Sequence, residues 1–432
     1  MVFANHFSGN TDSDVLNAAI ESRDSDGIVV IEPRHAESEP TRTYWLLDRA
    51  ILLPSNTTVI LRNCKLKLSD RCRDNFFRSA NCGLGIEENA QICNVHIKGE
   101  GDAVLEGADH PRATGDSGKI LKAPCPFEVE DICKYADWVP DSRRAPEQIT
   151  FADRHDYSFG TDAGKEGESQ VGDWRGIGIL LACVDNFSIS GITVRESHGW
   201  AISLEACSNG CVEKIRFDAR MNKTIDGMLQ NMENQDGVDV RNGCHDITIS
   251  DITGETGDDV VALTAIASDK SRYVPGGSLG STHVMHNDWS RRDPDIYNVI
   301  IRNVRAYSSL CYLVRLLPCE CSIRNVVIDG IVDTSPEGVS CGCIFLGEKD
   351  TVYGRNLPGD LRNITISNVV YNNTKRAAIR VDGYLQDSTI TNVIAARTKY
   401  PAISVLREGG LKNVAIGNVV TSEGVSVVGK PQ

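Results

Sequence analysis

Clustered lysine and arginine are missing from this sequence, and that absence sets aside nucleic acid as a partner, because phosphate contacts need grouped cations. The formal charge of −14 points the same way. No apolar run is long enough to cross a bilayer, so a membrane span is not expected. The first residues, MVFANHFSGNTDSD, lack a basic region followed by an apolar core, the pattern of a secretory leader. Aromatic residues are scarce at 6% against 41% hydrophobic overall. Valine, isoleucine, leucine and alanine must therefore build the core, as they do in stacked sheets.

Cysteine is plentiful, with 15 residues, but the signs of a disulfide framework are lacking. The count is odd, and Cys207, Cys244, Cys341 and Cys343 lie in apolar runs where a reduced thiol acts as a small hydrophobe. Cys319-x-Cys321 and Cys341-x-Cys343 also lack the two-residue gap of a zinc site. Reduced cysteines, no metal and no cofactor are expected. The expected compartment is the cytoplasm, or outside the cell if a leader was removed.

A short repeat is present throughout. CNVHIKGE at Asn94, NFSISGITV at Asn186, HDITISDIT at Asp246 and YNVIIRNV at Asn298 share one pattern. It returns in IRNVVIDGI at Asn325, RNITISNVV at Asn363, DSTITNVI at Ser388 and KNVAIGNVV at Asn413, the last three 25 residues apart. Each unit alternates apolar and polar residues, as a strand with one buried side does, and then turns at a polar residue. Such a strand buries its face only by stacking on equivalent strands above and below. The expectation is an all-β fold, a right-handed parallel β-helix, forming one domain over 1–432. A propeller blade needs a longer period of about 40 residues or more.

The end of a solenoid needs a cover. TDSDVLNAAIES at 11–22 predicts a short capping helix, started by Thr11 or Asp12, with Leu16, Ala19 and Ile20 on one face. Insertions near 108–172 and 266–295 interrupt the coils and are expected to wall a groove.

Three carboxylates stand out in the apolar strands: Asp236 in NQDG, and Asp258 and Asp259 in TGDD, 22 positions later. A single aspartate at a β-helix turn usually bonds to backbone amides. Three of them about one coil apart share a patch, since adjacent parallel strands lie about 5 Å apart. Like charges packed together separate in pKa, leaving one a proton donor while others stay ionised.

NQDG followed by TGDD resembles the NTDG and DD motifs of the polygalacturonases, glycoside hydrolase family 28. The flanking text agrees: FSGNTDSDVLNAAI is similar to that family's capping segment, ILLPSNTTVIL to its next strands, and DWRGIGILLACVDNFSISGITVRESHGWAISLEAC to the coils before the aspartates. The likeness runs from about 8 to 330. It implies a glycosidase in which Asp258 protonates the glycosidic oxygen while Asp236 and Asp259 activate water, with inversion at the anomeric carbon. Inverting enzymes hold their carboxyls about 6.5–9.5 Å apart.

Two family features are replaced. Where a His-Gly pair belongs, AYSSLCYLVRLL offers Leu310 and Cys311, and GCIFLGEK stands where Arg-x-Lys would hold a sugar carboxylate. The substrate is thus a carbohydrate that need not be a galacturonan. Candidate substrate-binding residues are Arg315, the loop histidines His283 and His286, and His198, Trp200 and Glu205 of the ESHGWAIS coil; a structural role competes for each. Other open readings are a β-helix lyase or glycan transferase, with Arg315 as the base, and a non-catalytic carbohydrate-binding solenoid. Acidic solenoids can pair through their sides, so a homo-oligomer is a further option.

Overall fold

A computed structural model describes residues 1–109, 118–119, 170–171, 174–266, 283–285, 293–349 and 355–430, except 71, 73, 84, 85, 87, 221, 226 and 233. Almost all regular structure is β, and the architecture is the expected right-handed parallel β-helix. The chain divides into two compact units: 1–203 with 218–235 and 272–286, and 204–217 with 236–271 and 287–432.

In the first unit three ladders of parallel strands rise side by side. Ile28–Ile31, Thr57–Arg62, Ile92–Glu100 and Val184–Ser190 pair in turn. Trp45–Leu47, Lys65–Leu68, Val104–Glu106 and Thr193–Arg195 form the second, and Ile51–Leu53, Phe77–Ser79 and Ile179–Ala182 the third.

The capping helix is present as Asp12–Glu21, and Thr11 is its N-cap. Thr11 Oγ1 accepts from Asp14 N at 3.2 Å while Asp14 Oδ2 accepts from Thr11 N at 3.0 Å, a reciprocal capping box. Leu16, Ala19 and Ile20 are buried as the spacing predicts. The polar residues of the same face serve the edge strands beneath. Asp12 Oδ2 accepts from Leu46 N, Ser13 Oγ from Asp48 N, and Asn17 Oδ1 from Leu52 N. The helix thus both covers the end and satisfies exposed strand amides, which otherwise invite pairing with another chain.

The second unit has two ladders. One runs Ser208–Glu213, His245–Thr256, Ile296–Ser308, Ile323–Asp333, Leu361–Val370, Leu385–Ala395 and Leu411–Thr421. The other runs Val238–Arg241, Val261–Ile266, Tyr312–Cys319, Gly342–Leu346, Ile379–Val381, Ile403–Val405 and Val428–Gly429. Ile249, Ile301, Ile328, Ile366 and Ile390 stack in register and are fully buried, the aliphatic column that the low aromatic content predicts.

The repeat asparagines hold the turns. Asn94, Asn186, Asp246, Asn298, Asn325, Asn363 and Asn413 all take positive φ, a region that Asn and Asp tolerate better than other side chains. Their amides bond coil to coil, as from Asn325 Nδ2 to Asn298 Oδ1 and from Asn363 Nδ2 to Asn325 Oδ1, both 3.1 Å. One repeat position shifts by a residue. Asp387, not Ser388, takes the positive φ and accepts from Asn413 Nδ2 at 2.7 Å, while Ser388 Oγ turns back to the Gln386 carbonyl. The even spacing of 25 was therefore a near coincidence of two unequal coils.

All cysteines among the described residues are free, mostly buried thiols. No helix among the described residues is long and apolar enough to cross a membrane. Most of the 108–172 insertion and 267–282 of the other lie outside the described residues. Of the first, Gly118–Lys119 pairs antiparallel with Gln170–Val171.

Candidate active site

The site lies within the second unit, at the start of the ladder that begins with Val238–Arg241. Gly237 N donates to the Asp259 carbonyl at 2.9 Å, and Val238 pairs with Val261. Carried back two residues, this register sets Asp236 opposite Asp259. The coil is thus one residue longer than the 22-position spacing suggests. Gly237 is required here for room: an added Cβ would lie 2.3 Å from the Val260 carbonyl oxygen and 2.7 Å from the Phe217 ring. On the next coil Val261 pairs with Val314, so the same extrapolation puts Cys311 opposite Asp258 and Tyr312 opposite Asp259.

Each acid is held differently. Asp259 is buried; its Oδ1 accepts from Tyr312 N at 3.0 Å and its Oδ2 lies 3.5 Å from an Arg315 nitrogen. Burial pushes its carboxyl up to about 7, even though Arg315 pulls in the other direction and Asp258 adds to the rise. Asp258 is half-buried, and its Oδ1 accepts from Asp259 N at 2.9 Å. Thr256 Oγ1 fixes the turn by donating to the Asp258 carbonyl at 2.6 Å.

Asp236 is 8% exposed, and its Oδ1 is buried with no donor. Burial, then the charge of Asp258, push it well above the ordinary carboxylate range. A fourth acid, Asp239, behaves likewise: it is 1% exposed, its Oδ2 has no donor, and burial raises it strongly despite Arg241. The sequence reading passed over Asp239, although an aspartate inside GVDV is as anomalous in an apolar strand as Asp236 itself. Crowding and desolvation of this kind raise the carboxyls' affinity for protons and spread them apart, which suits a group that exchanges protons.

Arg315 supplies the balancing charge. It is in register with Ala262 and, one coil before that, Asp239; on its other side comes Phe345. Its guanidinium is divided between Asp259 and Glu348, the latter at 2.5 Å, and sits 5.3 Å from the Phe345 ring centre. Burial opposes the charge, but Asp259 and Glu348 more than offset it and fix Arg315 as a cation. Arg380 packs on the same Phe345 ring at 5.0 Å, and Tyr312 meets that ring at 4.9 Å between centres. Glu348 and Phe345 were also missed, since only contacts one coil away give them a role.

The remaining named residues are placed as follows. His198 is 5% exposed and its Nε2 accepts from Ala108 N at 2.8 Å; burial lowers its pKa to about 3, so it stays neutral and fastens backbone. Trp200 is 3% exposed, and Glu205 is fully buried at the end of strand Ile202–Glu205. His283 is half-buried, and His286 lies outside the described residues.

Comparison with known proteins gives a partial family match. Residues 166–290 match the model of glycosyl hydrolases family 28. This agrees with the resemblance read from NQDG and TGDD, and the matched family 28 segment contains Asp236, Asp239, Asp258 and Asp259 but ends before Cys311 and Arg315. A search of curated proteins finds no match. Among solved structures, a hyperthermoactive exopolygalacturonase from Thermotoga maritima is similar with a TM-score of 0.52 at 16% identity, covering 98% of this chain and 91% of that one. The tailspike protein of E. coli bacteriophage HK620, solved with a pentasaccharide, has a TM-score of 0.52 at 16% identity, covering 99% of this chain and 66% of that one. At such identities the likeness is one of fold.

Proposed function

We propose that this protein is a glycoside hydrolase that cleaves an oligo- or polysaccharide with inversion, by proton transfer among Asp236, Asp258 and Asp259. Asp258, the most accessible of the three, protonates the leaving oxygen. Asp236 and Asp259 take the proton of the attacking water. The observation that carries this reading is the patch of four carboxyls around Arg315, two of them buried with a donorless oxygen. Such an arrangement is costly to fold and is retained where proton transfer needs it.

Arg315 positions Asp259 and helps keep it available for the ionised state, the role left open by Cys311 at the place of the family's histidine. A lyase would need Arg315 as its base. A guanidinium clamped between two carboxylates is a poor proton acceptor, which favours hydrolysis.

The test is turnover of a panel of neutral and uronic oligosaccharides by the wild type and by Asp258→Asn. Loss of the acid should slow cleavage about 10²–10⁴-fold with the fold intact. Undiminished cleavage by the variant would refute the assignment, and tight glycan binding without any product would point to a binding solenoid.

A further inference from the structure

The family comparison accounts for the aspartates but not for the thiol set beside them. One carboxylate oxygen each from Asp258 and Asp259 and the Cys311 sulfur all lie within 4.8 Å of one another. A tetrahedral ion with bonds of about 2.0–2.3 Å needs donors roughly 3.3–3.8 Å apart, so side-chain shifts of about 1 Å close the set. Asp258 and Cys311 are half-buried and Asp259 is buried.

Acidic clusters are common and by themselves mean little. This one has a second property: the buried Asp236 Oδ1 and Asp239 Oδ2 lack donors, and both carboxyls feel the charges of Asp258 and Asp259. The nearby cations are already committed, since Arg315 is shared between Asp259 and Glu348 and Arg241 acts on Asp239. Oxygen and sulfur ligands are in surplus, and positive charge is short. A divalent cation answers both, and the sulfur selects a thiophilic ion over calcium or magnesium, which prefer oxygen alone.

We propose that Asp258, Asp259 and Cys311 form a binding site for a thiophilic divalent cation of the zinc class, and that its occupation switches the carboxylates off. Binding exchanges the thiol proton for the metal: the S–H bond breaks, a sulfur–metal bond forms, and the proton passes to solvent with no change of oxidation state. The two carboxylates then coordinate the ion instead of moving protons. Cys311 serves the cation and has no part in hydrolysis.

Cadmium alone, titrated into the full-length protein under reducing conditions, reports the site without any turnover. A saturable ultraviolet sulfur-to-cadmium charge-transfer band should appear at one equivalent, and Cys311→Ser should abolish it. Asp258→Asn keeps the thiol and should keep the band while weakening binding at least tenfold, which guards against misfolding of the cysteine variant. No stoichiometric band, an equal band in Cys311→Ser, or unchanged affinity in Asp258→Asn would each overturn the proposal. Because the probe is metal binding, these outcomes are separate from the success or failure of the hydrolase reading.

Discussion

Asp12 and Asp239 are both buried carboxylates, and the protein treats them in opposite ways. At the helix cap, burial would raise the carboxyl of Asp12, but Arg42, the Leu46 amide and Arg34 bond to it and bring it below its usual value. In the acidic patch Asp239 has an oxygen with no donor, and burial prevails. Burial thus has contrary results at the two sites, deeper at Asp239 and, at Asp12, accompanied by donors that follow the charge inside. The cap is a solved folding problem, whereas the patch is left unsolved where chemistry is proposed.

Removing the cap acid gives the largest expected effect on stability. Asp12→Ala takes a buried partner from Arg34, Arg42 and the Leu46 amide, leaving the two guanidiniums to the half-exposed Glu39, and should cost about 3 kcal/mol in chemical denaturation. If that loss is below about 1 kcal/mol, the contrast between the two acids is broken.

pH separates them next. Asp12, with a lowered folded pKa, stabilises above its unfolded value of 3.8, and that contribution disappears as pH falls through the still lower folded value. Asp259, raised from 3.8 to about 7, takes up a proton more readily when folded, so its effect is destabilising as pH climbs from about 4 to about 7. Asp236 and Asp239 act in the same sense. Melting temperature should therefore peak on the acid side of neutrality and decline toward pH 7, and a profile rising over that interval would contradict the raised carboxyls.

Asp239→Asn removes a charge that the fold resists. It should be neutral or stabilising by about 1 kcal/mol at pH 7, shrinking to nothing near pH 4, as measured by paired melts. The smallest effect belongs to an exposed turn. Asn325→Ala loses two exposed amide ladder bonds, the one it donates to Asn298 and the one it accepts from Asn363, and a residue suited to positive φ, for about 1 kcal/mol. A larger loss there than at Asp12 would invert the whole ranking.

Much of this was legible beforehand because it depends on short periodicity. Alternation in segments such as RNITISNVV names the buried isoleucines, and the turn asparagines mark one coil from the next. Asp387 shows the limit, since neighbouring polar residues compete for a turn and only backbone geometry separates them. In the candidate site Asp236, Asp258 and Asp259 were visible as acids in apolar strands. Phe345 and Glu348 acquire their roles by lying across the coil from Arg315, which local pattern does not report. His198 and Trp200 show a related limit: in sequence a reactive or aromatic side chain reads the same whether it faces a sugar or fastens the core, and both are buried.

The most direct test follows the anomer of the sugar first released, by proton NMR before mutarotation sets in, from whichever oligosaccharide the protein cleaves. Attack by water on the face opposite the departing group predicts the inverted anomer from the wild type. A first product with retained configuration would contradict the assignment of Asp236 and Asp259 to that water.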